Sequence, residues 1–242
     1  MASAIARRPL PPTSPSERLR RVTTTDFLAT DGAALLQLLE RDYDLQGQLH
    51  ALPGEHDFNV KLTSEGATYL VKVAPIAAEV EHIALQVDVL AHLAKTAPSL
   101  SVARVVETTT KESTSTLKAA QGDHAVWVTT WVDGELLAKI TVVDEALCHE
   151  LGRELGTLDQ ALQSFTDPRA KRDLKWDLRQ SNWIEAHLDA IADQDLQTIT
   201  AEVHSQFLRI APALGRVRQG VIHNDANDYN VLVQTNGSAR TI

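Results

Sequence analysis

Residues 221–233 read VIHNDANDYNVLV, a hydrogen-bonding octet, HNDANDYN, between two short apolar runs rich in β-branched residues. Asp225 and Asn230 are near enough in sequence for both side chains to face one cavity if the octet is a loop between strands. A carboxylate so placed can accept a proton from an attacking hydroxyl. An amide oxygen beside it can ligate Mg²⁺, which takes oxygen donors. His223 suits fixing the loop by hydrogen bonding better than it suits chemistry. A base for the nucleophile and a cation for a polyphosphate are what phosphoryl transfer requires. The plainer alternative is an Asx-rich surface turn, since Asn and Asp dominate turns through local hydrogen bonds.

A second chemical group lies far upstream, in YLVKVA. Lys72 falls on the strand face opposite Val71 and Val73, and a helix follows it. A lysine held mid-strand can reach phosphate oxygens; otherwise it is an ordinary solvent-facing residue of an amphipathic strand.

The elements that must position these groups follow from periodicity. Residues 25–41 predict a helix with Leu35, Leu38 and Leu39 on one face. FNVKLT, a turn at Ser64-Glu65-Gly66 and TYLVKVA predict a β-hairpin. After Pro75, Val80, Ile83, Val87, Leu90 and Ala94 recur at helical spacing. A short strand at 102–106, a polar hairpin loop at 107–119 and a strand at 125–132 come next, closed by Asp133-Gly134. Thr141 with Glu145 caps the following helix, whose face carries Leu147, Leu151, Leu155, Leu158 and Leu162. Helices are predicted over 180–193 and 195–210, then the octet, a turn at Asn236-Gly237 and a further strand beginning ARTI. His149, His187 and His204 lack ligand spacing and read as surface histidines; Glu150 and Glu154 read as a solvated helix face.

The 242 residues suffice for one large domain or two lobes, and the net charge of -9 argues against a nucleic-acid or anionic-membrane partner. One cysteine, Cys148, excludes a disulfide framework and a cysteine zinc site. No apolar run approaches a membrane span. Residues 1–22 read as a disordered leader, with a transit peptide as the sharper alternative; the cytoplasm is the default location. The order of elements predicts an α+β chain, with a small β-rich lobe over 23–132 and a mostly helical lobe over 133–242.

In these motifs the chain resembles the aminoglycoside phosphotransferase and choline kinase-like superfamily, of bilobal protein-kinase-like fold. His223 to Asn230 match its catalytic loop. GEHDFNVKL, the WDL at 176–178 and HNDANDYNVLV resemble a branch holding hydroxylysine kinase and kinase-like domains fused ahead of class-III aminotransferases. The resemblance implies Asp225 as base, His223 as loop anchor, Asn230 as Mg²⁺ ligand and Lys72 as phosphate clamp. It implies that Gly54, in LPGEHDFN, bends a loop over the nucleotide phosphates, and that backbone of Trp131 and Val132 meets the purine, with Val71, Trp127 and Thr130 nearby. In the family the lysine's helix partner is a glutamate; here the position holds Gln86. Trp176, Trp183 and Asp177 fall where the family builds its acceptor pocket, although helix packing explains the tryptophans as well.

The implied function is transfer of the γ-phosphate of ATP or GTP, with Mg²⁺, to a hydroxyl of a small amine-bearing metabolite such as hydroxylysine. The superfamily's second metal ligand, an aspartate one strand further on, would fall just past Ile242, so the helical lobe is expected to be incomplete and the fragment inactive. The alternative is a non-catalytic nucleotide- or ligand-binding module at the front of a longer fused protein, such as a pyridoxal-phosphate aminotransferase.

Overall fold

The computed structural model describes residues 22–54, 57–74, 80–119, 122–171, 177–236 and 239–241. The chain divides into two compact units, one of Met1–Ala78 with Ala103–Trp131, the other of Glu79–Val102 with Val132–Ile242.

The first unit is a helix on an antiparallel sheet. Helix α1 (Thr24–Tyr43) starts at a capping box: Thr23 accepts the Asp26 amide, and the Asp26 carboxylate accepts the Thr23 amide. It stops where Asp44 turns left-handed (φ 55°), which lets the Asp44 amide reach the carbonyls of Glu40 and Leu39. Strands β1 (Gln48–Leu52), β2 (Phe58–Ser64), β3 (Ala67–Val73), β4 (Val105–Val106), β5 (Ser115–Ala119) and β6 (Gly122–Thr130) form the sheet among the described residues. The order is β1-β2-β3-β6-β4, with β5 also on β6, and every pairing is antiparallel.

Alternation fixes the register. Val60, Leu62, Val71, Val73, Val126 and Val128 point one way and pack, almost wholly buried, against Phe27, Leu35, Leu38, Leu39 and Tyr43 of α1. Each such side chain contributes about 1.5–3 kcal/mol of transfer free energy on burial. The opposite face carries Asn59, Lys72 and Trp127 in a row, because β2 pairs Asn59 with Lys72 and β6 pairs Trp127 with Lys72.

Two expectations in this unit need correction. Residues 107–119 are not all loop: the turn is confined to Thr108–Glu112, where Thr108 accepts the Glu112 amide, and 115–119 is β5. The serine, threonine and lysine of STLKA hid the strand by polarity, yet Thr116 is β-branched, and Leu117, with Ala119 partly buried on the same face, turns inward to the core. The strand at 102–106 shrinks to Val105–Val106.

The second unit is mainly helical. Helix α2 (Val80–Thr96) packs against α3 (Glu145–Leu162) through Leu93, Ala97, Leu100, Leu158 and Leu162. His92 bonds the Ala161 carbonyl at 3.0 Å, and Asp88 pairs with Arg169 at 2.5 Å. Ala94 is exposed, not buried; Leu93 takes the inward position. The cap of α3 is Asp144, which accepts the Leu147 amide at 2.9 Å, and not Thr141. Residues 178–190 form 3₁₀ turns broken at Gln180 in place of the expected α-helix, and α4 covers Gln194–Ile210. The apolar stripe of α4 (Leu196, Ile199, Val203, Ile210) is exposed, whereas His204 is buried at 7% and is no surface histidine. A small antiparallel sheet of β7 (Glu135–Leu136), β8 (Leu232–Asn236) and β9 (Ala239–Thr241) completes the described residues. Among them, no helix is long and apolar enough to cross a membrane.

Candidate active site

The octet leads into β8, but residues 221–223 before it are not a strand. β8 pairs with β7 and β9, whereas Val221–His223 pair with no strand among the described residues, and Ile222 is 56% exposed. What holds the loop is the segment just past Asp133-Gly134. Leu137 donates its amide to Val231 O at 2.9 Å, Ala138 donates to Asp228 O at 2.8 Å, and Glu135 and Leu136 pair with Val233 and Leu232. Gln234 donates to Asp133 O at 3.0 Å. Gly134 is held at φ +147°, and a Cβ there would meet Leu232 Cβ at 3.0 Å and Val233 O at 3.2 Å. A side chain at this position would push β8 away.

Inside the loop, hydrogen bonds converge on Asp225. Asn230 Nδ2 donates to Asp225 Oδ2 and to the Asp225 carbonyl, both at 2.8 Å; Asn227 Nδ2 donates to Asp225 Oδ1 at 2.8 Å. The Asp225 amide donates to His223 Nδ1 at 3.3 Å, and Asn224 before it adopts a left-handed φ of 62°, which Asn tolerates better than most residues. Asn227 Oδ1 accepts the Tyr229 amide at 2.8 Å, and the Asn230 amide closes on Asn227 O at 3.0 Å. Each carboxylate oxygen of the exposed Asp225 accepts one amide N–H from a side chain and keeps lone-pair capacity for a proton. The nitrogen of Asn230 is committed to Asp225, so its oxygen is the atom left to meet a cation. Among the described residues no group of three His, Cys, Asp or Glu side chains converges as a metal cage. A single amide oxygen fits Mg²⁺ nonetheless, because that ion keeps several waters and binds through few protein ligands together with phosphates.

In the first unit, Lys72 is no plain surface lysine. Its side chain is 21% exposed, its Nζ pairs with Asp57 at 3.0 Å, and it lies 4.9 Å from the centre of the Trp127 ring. The loop before β2 closes on itself: Asn59 Nδ2 donates to Pro53 O at 3.1 Å, and a Cβ on Gly54 would fall 2.3 Å from Asp57 O. Gly54 is therefore required for a close backbone approach. Ala51–Gly54, Asp57 and Phe58 line a cavity of about 630 Å³. Trp131 donates its amide to Thr68 O at 3.2 Å, with Lys61 4.8 Å above its ring. Val71 and Trp127 are buried, and Thr130 is partly so. Gln86 is half-buried on α2.

Of the residues expected around an acceptor, Trp176 lies outside those described. Asp177 is engaged already: it accepts the Arg179 amide and pairs with the Arg179 guanidinium at 2.5 Å, which holds its carboxyl below the usual carboxylate range. Trp183 packs edge-on against His187. A cavity of about 770 Å³ runs from Phe165 past Arg179 and Gln219 to Val221, at the entry to the octet.

Reasoning from sequence missed Asp57 and Asn227. The hairpin register carried a signal for the first: a turn at 64–66 sets Phe58 opposite Val73, and hence Asp57 beside the Lys72 end of β3. For Asn227 no such signal exists, since any of the octet's amides can reach the carboxylate on spacing alone.

Residues 48–242 match the APH phosphotransferase enzyme family. The chain belongs to that family. Hydroxylysine kinase of Mus musculus is 26% identical over 121 residues, 48% of this chain and 32% of the mouse protein. Hydroxylysine kinase of Xenopus laevis is 27% identical over 125 residues, 49% of this chain and 33% of the frog protein. The matched stretch thus spans about a third of the length of these relatives. Among solved structures, a microcompartment-associated aminopropanol kinase is similar with a TM-score of 0.66 at 19% identity, over 87% of this chain and 67% of that one. An amicoumacin kinase solved with AMP-PNP, Ca²⁺ and Ami gives 0.54 at 21%, over 78% and 55%. The phosphotransferase chain therefore has the α+β fold of small-molecule kinases.

Proposed function

We propose that this phosphotransferase-family protein moves the γ-phosphate of ATP or GTP to a hydroxyl of a small amine-bearing metabolite, with hydroxylysine or a related amino alcohol as the candidate acceptor. The observation that carries the reading is the clamped carboxylate: Asn227 and Asn230 each donate at 2.8 Å to a different oxygen of Asp225. A base must be aimed before it is useful, and two amide donors fix both rotation and tilt of this carboxylate. Asp225 takes the proton of the acceptor hydroxyl as that oxygen bonds to the γ-phosphorus and the bond to the nucleoside diphosphate breaks. His223 holds the backbone at Asp225. Asn230 would hold Mg²⁺ through its side-chain oxygen, and the ion, when bound, neutralises charge on the phosphates. Lys72 donates N–H groups to phosphate oxygens, Gly54 lets its backbone approach the Asp57 carbonyl near them, and the Trp131 carbonyl with Val132 takes the purine edge. The names of the hydroxylysine and aminopropanol kinases support an acceptor bearing both an amine and a hydroxyl. AMP-PNP and Ca²⁺ in the amicoumacin kinase support a nucleotide and a divalent cation. A cytoplasmic setting accords with a soluble metabolite as acceptor.

The test is nucleotide consumption by the full-length protein across a panel of hydroxylated amines, with and without Mg²⁺. Asp225→Asn, which keeps shape and removes the base, should lower turnover by about 10²–10⁴-fold while the melting temperature stays put. Unchanged turnover in that variant refutes the assignment. Nucleotide binding without turnover on any acceptor would favour the non-catalytic module instead.

A further inference from the structure

Lys72 and Asp57 form an ion pair that the sheet itself builds. Their side chains are 21% and 20% exposed, their charged atoms lie 3.0 Å apart, and Asp57 stands just before β2, two residues ahead of Asn59, the β2 partner of Lys72. An ammonium withdrawn this far from water needs a counter-charge to stay in place. Among the described residues, Asp57 is the carboxylate in ion-pair contact with it. Asp57 also belongs to the tight loop that Asn59 ties to Pro53 and that Gly54 allows to close on the Asp57 carbonyl. One residue thus joins the loop to the lysine.

We infer that Asp57 is the positioning residue of Lys72, supplying its counter-charge and aiming the ammonium at the nucleotide phosphates. This inference rests on the phosphotransfer reading above. An ammonium has three N–H donors. Asp57 accepts one and the Trp127 face lies beside the group, so Lys72 can keep its partner while giving the remaining donors to phosphate oxygens. Asp57 therefore acts with the nucleotide and does not compete against it. The carboxylate touches neither phosphate nor acceptor; its effect passes through Lys72.

The experiment uses the full-length protein and four variants: Lys72→Ala, Asp57→Asn, Asp57→Glu and, as control, Glu65→Gln, which removes an exposed carboxylate from the β2–β3 turn. Three readouts are taken: ATP dissociation constant, KM and kcat for each substrate, and acylation of Lys72 by an amine-reactive ester, read by peptide mass spectrometry. Asp57→Asn should weaken ATP binding about tenfold, leave the acceptor KM within about twofold, and speed Lys72 acylation several-fold as the ammonium loses its partner. Asp57→Glu should recover most of the affinity and the protection, which a mere loop defect would not allow. Glu65→Gln should change neither. Should Asp57→Asn fail to fold, the Asp57→Glu and Glu65→Gln pair decides: a larger loss of protection in Glu65→Gln overturns the proposal. Tighter ATP binding by Asp57→Asn would make Asp57 a competitor and overturn it, as would unchanged acylation. Lys72→Ala separates the two levels: if it leaves ATP affinity intact, the role of Lys72 in the functional reading fails, whereas a loss there with none in Asp57→Asn removes only Asp57.

Discussion

Replacing Gly134 by Ala is the sharpest test of how the octet at residues 223–230 is held. At φ +147° an L residue is strained, and placing one there costs about 1–3 kcal/mol. The new Cβ would also meet Leu232 Cβ at 3.0 Å and Val233 O at 3.2 Å, both in β8, so the neighbour must yield by a few tenths of an ångström. Relieving such overpacking adds a penalty of about 1 kcal/mol or more. A total of about 2–4 kcal/mol is expected, with β8 and the attached Asn230 displaced. Gly152→Ala and Gly156→Ala make the control. Both glycines lie inside α3, exposed, with nothing within 4 Å of a Cβ. There Ala should stabilise by about 0.5–1 kcal/mol, since glycine loses more backbone freedom on entering a helix. The assay is urea unfolding of the three variants beside the parent, followed by helix signal, with turnover measured in parallel. Gly134→Ala should lower the midpoint and the activity together, and the α3 pair should raise the midpoint with activity unchanged. A Gly134→Ala protein as stable and as active as the parent would refute the claim that this glycine seats β8.

Three shorter predictions accompany it. Leu35→Ala removes a wholly buried side chain between α1 and the sheet and should cost about 2–5 kcal/mol, read as a shift of the same urea midpoint. Asp144→Ala deletes the cap on α3 and should cost about 1 kcal/mol, whereas Thr141→Ala should cost almost nothing. Acid should weaken the fold: Asp42, Glu150, Asp167 and Asp177 are held below the usual carboxylate range chiefly by hydrogen bonds from Arg41, Arg153, Arg169 and Arg179. Depressed carboxylates lend stability above about pH 4 and lose it as pH falls through their lower folded values. The melting temperature should therefore decline from pH 5 toward pH 2, and a flat profile would contradict it.

Periodicity made the long elements legible, because α1, α2, α3, α4 and the β2–β3 hairpin each show one clear apolar face. It failed where partners, not pattern, decide. The two-residue strand β7 exists only because β8 is there to pair with it, and β5 hides its inward Leu117 among serine, threonine and lysine. Val221–His223 carry a strand-like sequence but pair with no strand among the described residues. At the site, the spacing of Asp225 and Asn230 made their proximity legible, and the two side chains do meet at 2.8 Å. The Asp57 contact to Lys72 did not, because it depends on which residues a hairpin sets side by side.

Helix α2 interrupts the first unit in sequence while its Leu93, with Ala97 just past its end, completes the core around Leu158 and Leu162. Scissors applied after Trp131 would consequently spoil both products. The leading piece would carry an orphan amphipathic helix, and the trailing piece would unfold for want of its missing wall. Neither half can be lent to another protein as a cassette, so grafts and split reporters should be joined at surface turns such as Glu65–Gly66.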